Sequence, residues 1–418
     1  VADDDPYNVI AHNLITLSDH IRAFHTLEAD GIQVRMQQHE SRIYGDDVLD
    51  LLVEAKRVLC SKYDVEPRAP IVVEIFPQQK DFAIRTFGLP GGAGFLGVCF
   101  GRVITANSPA SQGESPSNWQ SVLWHEFCHV VTLEKTRNRM PRWLSEGISV
   151  YEERQRDPSW GESITPIYRQ MMLGDELTPV SQLSGAFLTP ASPIHLQFAY
   201  YESSLVVEFL VDRHGIKTLT KILDDLGSGL VIEDALTRNV GSLQKLDFEF
   251  AEYARRRAES FGEEADWSRE AMPEKPTDQD LVSWVEQNPN SYWGLRGLAE
   301  IYVSSGRFGQ AREVLEKLQE LGSMTGESGD PLMLLARVYR ELNEPEKERE
   351  ALEQLVALSC DSLPALRRLI EIAREREQWE RVAMFADQIL AINPLLPEGH
   401  QALSEAAEAL ERPQDVVR

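Results

Sequence analysis

The residues best suited to chemistry lie in LWHEFCHVVTL, from Leu123 to Leu133. His125 and His129 stand four apart, and Glu126 directly follows the first histidine. Residues four apart share one face of an α-helix, so both imidazoles can turn toward a single ion. Glu126 is one step round the helix, close enough to reach a water on that ion without binding it. Two imidazole ligands beside a proton-accepting carboxylate are the working parts of metal-assisted hydrolysis. The same letters also read as a helix with two partly exposed histidines. The apolar neighbours Val122, Leu123, Trp124, Val130 and Val131 suit either reading. Cys128 sits inside the motif as a reactive thiol or, more simply, as a small buried residue.

A two-histidine site needs one more protein ligand and an open position for water. PRWLSEGISVYEE (141–153) offers Glu146, seventeen residues after His129, in a tryptophan-led helix. The polar turn EKTRNRMP lets that helix return antiparallel and bring the carboxylate over the imidazoles. Taken alone, Glu146 is a helix-start glutamate favoured by the helix dipole. Nitrogen and oxygen donors of this kind fit zinc better than magnesium or calcium.

The elements that must position these residues change character along the chain. IQVRMQQ (32–38) alternates like a strand, and 46–63 has helical spacing in Val48, Leu51, Leu52, Ala55, Val58 and Leu59. IVVEIF (71–76) reads as a buried strand, and 80–88 as a short helix closed by Gly88. GFLGVCFGRVITA (94–106) reads as one or two edge strands whose glycines indicate a bulge or a close backbone approach. Ser117, with Gln120 three residues on, is the expected cap of the histidine helix. From Met140 onward the pattern is helical, broken by a Ser-, Pro- and Thr-rich loop over roughly 155–196.

The last third repeats itself. Leu298, Ala299, Tyr302, Gly306, Phe308, Ala311 and Leu315 recur as Leu335, Ala336, Tyr339 and Leu352, and more weakly as Leu369, Ala373, Trp379 and Ile389. The period is close to the ~34 residues of a helix-turn-helix repeat. This resembles a tetratricopeptide array of about three repeats, with 396–411 as a terminal capping helix.

Composition narrows the partners. A chain of 418 residues is too long for one core, so two domains are expected. A formal charge of −25 argues against nucleic-acid binding, which needs clustered Lys and Arg. Cys60, Cys99, Cys128 and Cys360 lie far apart and form no C-x-x-C pair, so neither a disulfide framework nor a thiolate zinc site is expected. No run of eighteen apolar residues occurs, and the acidic start VADDDPYN is no signal peptide. The compartment is not legible.

His125-Glu126-x-x-His129 together with Trp143-x-x-Glu146-Gly147 resembles the gluzincin zinc metallopeptidases, the class that includes thermolysin and aminopeptidase N. It is more closely similar to the bacterial peptidase-MA-like proteins with tetratricopeptide repeats after the peptidase domain. The resemblance covers roughly residues 25–262, with its specific motifs in 125–147 and 200–211. It implies an α+β fold: a thermolysin-like domain of mixed sheet and active-site helix, then a helical subdomain, followed by an all-α tetratricopeptide solenoid. The expected domains are 1–265, with an α/β part to about 140 and a helical part over 141–265, and 266–418 for the repeats. It further implies zinc held by His125, His129 and Glu146, with Glu126 as general base. AYYESSLVVEFLVDRHG (199–215) is similar to the gluzincin helix whose tyrosine hydroxyl steadies the reacting carbonyl. Tyr201 is the match, with Tyr200, about 100° round the helix, and the upstream His195 as alternatives.

Two departures matter. Aminopeptidase N enzymes carry a G-x-M-E-N strand whose glutamate holds the substrate amine, whereas this chain has Gly92-Ala93-Gly94-Phe95-Leu96 and no acid. That speaks against aminopeptidase action of that type. Thermolysin-like enzymes place an acid four residues after the glutamate ligand, where this chain has Val150, so a partner for the ligands must come from elsewhere. The function expected is zinc-dependent peptide hydrolysis, with Gly92, Gly94 and Gly97 on a strand that pairs with an extended peptide, and the repeats docking a partner or substrate. The alternatives are a catalytically silent peptidase-like interaction scaffold and hydrolysis of a non-peptide substrate.

Overall fold

The structure is a computed structural model that describes residues 8–91, 94–113, 116–269, 277–326 and 331–412. Its described residues fall into two compact units, one within 1–161, 178–250 and 386–418, the other within 162–177 and 251–385.

The first unit opens with helix α1 (Val9–Arg22), then strands β1 (Phe24–Ala29) and β2 (Ile32–Gln37), helix α2 (Gln38–Tyr63), strand β3 (Ile71–Phe76) and helix α3 (Gln79–Phe87). Strands β4 (Gly97–Phe100) and β5 (Val103–Asn107) complete a mixed five-stranded sheet in the order β1-β2-β3-β5-β4. The two outer pairs are antiparallel and the two inner pairs parallel. β5 therefore lies inside the sheet and β4 is the edge beside it, because Val103 to Ala106 pair with β3 as well as with β4.

Register builds one apolar face. Ile32, Val34 and Met36 stand opposite Ile71, Val73 and Ile75, and Val73 and Ile75 stand opposite Ile104 and Ala106. All are at most 3% exposed, and each buried aliphatic side chain contributes about 1.5–3 kcal/mol relative to exposure. Leu17, Phe76, Phe82 and Ile84 form a second cluster that joins α1, β3 and α3. α3 ends as expected at Gly88, which takes a left-handed conformation at φ 79°.

Helices α4 (Trp119–Thr136) and α5 (Arg142–Arg156) follow, and α4 packs on α2, α5 and β4. Asn118, not Ser117, caps α4: its side-chain oxygen accepts from the backbone N–H of Gln120 and Ser121. The helix stops at Arg137 and Asn138, both left-handed, which turn the chain back toward α5. The loop expected over 155–196 holds short helices α6 (Pro166–Leu173) and α7 (Leu183–Ala186). α8 (Pro193–His214) starts earlier than the sequence pattern indicated, so His195 is helical and its Nδ1 lies 2.8 Å from the Ser192 hydroxyl. α5 and α8 cross at Gly147, where a methyl group would stand 2.6 Å from the Ser203 carbonyl oxygen. Only glycine allows that approach.

Helices α9 (Ile216–Ser228), α10 (Ile232–Val240) and α11 (Leu243–Ser260) lead to α12 (Asp278–Gln287), α13 (Tyr292–Ser304), α14 (Phe308–Glu320), α15 (Pro331–Glu341), α16 (Pro345–Leu358) and α17 (Leu363–Glu375). α12 to α17 pack in chain order, each on the next. α18 (Trp379–Ile392) and α19 (Pro397–Ala409) follow. One turn recurs. Gly306, Asn343, Glu377 and Glu411 are left-handed, and the next residue's N–H bonds to the carbonyl five back in each case. Those bonds join Arg307 to Tyr302, Glu344 to Tyr339, Gln378 to Ala373 and Arg412 to Ala407.

Candidate active site and metal centre

α4 and α5 bring together the residues that spacing singled out. His125, His129 and Glu146 each offer a ligand atom, and these atoms lie within 4.8 Å of one another. Nε2 of both histidines lies 3.3 Å from the same Glu146 oxygen, Oε2. The rings stand edge to face at 4.8 Å, as neighbours one turn apart on a helix should.

The Nδ1 atoms are already engaged. Nδ1 of His125 lies 3.2 Å from Glu153 Oε2, while Glu153 Oε1 accepts from the Ser121 hydroxyl at 2.8 Å. Nδ1 of His129 lies 2.8 Å from the Ser145 hydroxyl and 3.3 Å from that of Ser149. These contacts fix both ring orientations and leave Nε2 as the atom turned to Glu146, the arrangement a metal-ligating histidine needs. Three convergent N and O donors therefore fit a divalent ion of the zinc kind.

Charge is concentrated here. Burial opposes the His125 imidazolium, but Glu153 and Glu146 outweigh it and hold its pKa well above the ordinary histidine value. Burial also opposes the Glu146 carboxylate, yet His129 and His125 hold it well below the usual range. Glu126 moves the other way: burial raises its pKa despite the two histidines. It is 6% exposed and its Oε2 has no hydrogen-bond partner. A buried acceptor without a donor costs stability, so such an atom calls for a partner that the protein side chains do not supply.

Gly97, on the edge strand β4, makes room for that carboxylate. A methyl group there would stand 2.7 Å from Glu126 Cγ and 2.8 Å from Oε1. Gly94 is exposed and left-handed at φ 99°, and Gly92 lies outside the described residues.

The tyrosines divide. Tyr201 is 1% exposed, with its ring 6.4 Å from that of Phe198. The Tyr200 hydroxyl accepts from Arg142 Nη2 at 2.9 Å, and Arg142 Nε donates to Glu146 Oε1 at 3.1 Å. Burial and Glu146 push Tyr200 up to about 12 against the pull of Arg142, so its hydroxyl keeps its proton at neutral pH. Cys128 is buried and free, and burial raises its thiol.

Sequence reasoning missed Arg142, Ser145, Ser149 and Glu153. It sought an acid one turn beyond Glu146, at Val150, whereas the acid stands two turns on at Glu153. A search at seven-residue spacing from the ligand would have found it.

Among the described residues, no helix is long and apolar enough to cross a membrane. No curated protein matches the chain. Among solved structures it is similar to native yeast LTA4 hydrolase at 12% identity and a TM-score of 0.30, over 94% of this chain and 64% of that one. The chain thus spans less than two thirds of that protein's length. Residues 98–251, which carry His125, Glu126, His129, Glu146 and Tyr200, match the model of the Peptidase MA superfamily.

Proposed function

We propose that the chain is a zinc-dependent peptidase of gluzincin type, with residues 1–265 as the peptidase domain and 266–418 as a tetratricopeptide module that docks a partner or substrate. The observation that carries this reading is the convergence of His125, His129 and Glu146 within 4.8 Å, beside a buried Glu126 with an unpartnered oxygen. The superfamily match over 98–251 supports it. The recurring left-handed turns at Gly306, Asn343, Glu377 and Glu411 support the repeat reading.

In this reading His125 and His129 hold the ion through Nε2, and Glu146 holds it through a carboxylate oxygen. Bound there, zinc supplies a Lewis acid that polarises a carbonyl and acidifies water. Glu126 takes the proton of the attacking water and passes it to the leaving amine. A tyrosine hydroxyl donates to the carbonyl oxygen as negative charge develops. Tyr201 is the sequence match for that role, while the link through Arg142 to Glu146 favours Tyr200. The edge strand β4, which among the described strands pairs only with β5, offers backbone groups to an extended peptide.

Metal analysis of the purified chain tests the reading. About one zinc per chain is expected, and His129→Ala should release it. A chain never exposed to chelator that holds no transition metal and cannot be loaded with zinc overturns the proposal.

A further inference from the structure

Arg142 stands where helix energetics do not favour it. It is the first residue of α5, and the positive end of the helix dipole disfavours a cation there. Four contacts with three neighbours hold it nonetheless. Its Nε donates to Glu146 Oε1 at 3.1 Å, and its Nη2 donates to the Tyr200 hydroxyl at 2.9 Å. The guanidinium carbon lies 5.1 Å from the Phe187 ring centroid and 6.0 Å from that of Tyr200. Those two rings meet edge to face at 5.2 Å. One side chain thus ties together α5, α8 and the segment after α7.

The hydrogen bonds have a direction. Oε1 of Glu146 is occupied by Arg142, while Oε2 lies 3.3 Å from both histidine Nε2 atoms. A carboxylate with one oxygen tied presents only the other to an ion. Guanidinium is a donor only, so the Tyr200 hydroxyl must accept from it and keeps its own proton for another acceptor.

We propose that Arg142 is a positioning residue of the metal centre: it fixes Glu146 as a one-oxygen ligand through Oε2 and holds the Tyr200 hydroxyl as a hydrogen-bond donor. This rests on the metallopeptidase reading and adds to it the group that joins ligand to donor. Lysine cannot replace it fully, because an ammonium is a point charge and the planar fork sets both bonds at once.

The test compares wild type, Arg142→Met, Arg142→Lys and Tyr200→Phe. Zinc affinity is measured by competition with a chromophoric chelator, and melting of each metal-free protein checks the fold. Arg142→Met should weaken zinc about 10- to 100-fold, the usual cost of losing a partner that orients a ligand. Arg142→Lys should lose at least about threefold, and Tyr200→Phe should stay within about twofold. In zinc-saturated turnover of a quenched fluorescent peptide mixture, Arg142→Met combined with Tyr200→Phe should be no slower than Arg142→Met alone.

Zinc binding within twofold of wild type in both Arg142 variants overturns the proposal, as does a double variant slowed by the full product of the two single effects. Should Arg142→Met not fold, Arg142→Lys decides. A wild-type chain that takes no zinc defeats the metallopeptidase reading and this one with it. A wild-type chain that takes zinc, beside Arg142→Met and Arg142→Lys chains that take it equally well, defeats only the role of Arg142.

Discussion

The helices around the histidines and the helices α13 to α17 are built on opposite plans. In α4, α5 and α8, Ser121, Glu126, His129, Ser145, Ser149, Glu152, Glu153, Glu202 and Ser203 are all buried. Among the described residues of α13 to α17, Glu348 is the only buried charged side chain, and Arg368 grips both of its oxygens at 2.6 and 3.0 Å. The rest of that core is Leu, Ala, Ile, Val and Tyr, with Gly294 and Pro331. Buried polar groups cost stability unless paired, so a fold shaped only by packing keeps few of them. The first region keeps many, among them Glu126 with its unpartnered Oε2, although the second also leaves a buried donor, Trp293 Nε1, without an acceptor. The contrast separates a region rich in buried polar side chains from one closed by apolar helix packing.

If that contrast holds, damage in the two regions should be felt differently. The largest effect on stability belongs to the packed helices. Leu335 is fully buried in α15, and Leu335→Ala should cost about 2–5 kcal/mol in denaturant unfolding while zinc affinity stays unchanged. A loss of zinc binding with it would blur the comparison.

Next comes a change that should spare folding and touch only turnover. Tyr200→Phe removes one hydroxyl and should raise the barrier by about 2–4 kcal/mol, with zinc content retained. Tyr201→Phe, at a site 1% exposed, is the matched control. The reverse ranking in peptide turnover would return the donor role to Tyr201.

The smallest effect concerns pH. Burial raises the Glu202 carboxyl to about 8, and its Oε1 accepts from the Thr178 N–H while Oε2 has no partner. The folded state therefore holds a proton that the unfolded chain releases near its ordinary value of 4.5. The stability this proton contributes is full below about 4.5 and is lost as pH rises through about 8. Glu202→Gln keeps an acceptor for Thr178 and cannot ionise, so its melting temperature should vary less with pH than that of wild type over this window. Parallel curves would show that Glu202 does not titrate there.

How much of this was legible follows from which interactions are local. His125, Glu126 and His129 share one helix, so their spacing alone placed two imidazoles on one face. Glu146 needed one more step, the return of α5. The contacts of Glu153, Ser145 and Arg142 depend on how α4, α5 and α8 cross, which periodicity does not encode. Strand β5 read as an edge because its glycine-bounded neighbourhood looks exposed, yet pairing to β3 puts it inside. Helix α1 was unread because Val9, Ile10, Leu14 and Ile15 are exposed and only Leu17 is buried, which leaves no inward stripe to recognise.

The most direct measurement combines zinc content and peptide hydrolysis in Glu126→Gln. That substitution removes a base and no ligand, so the account predicts zinc at the wild-type level, an unchanged melting temperature and hydrolysis lower by about 10²- to 10⁴-fold. Hydrolysis at the wild-type rate in a zinc-loaded Glu126→Gln chain would contradict it.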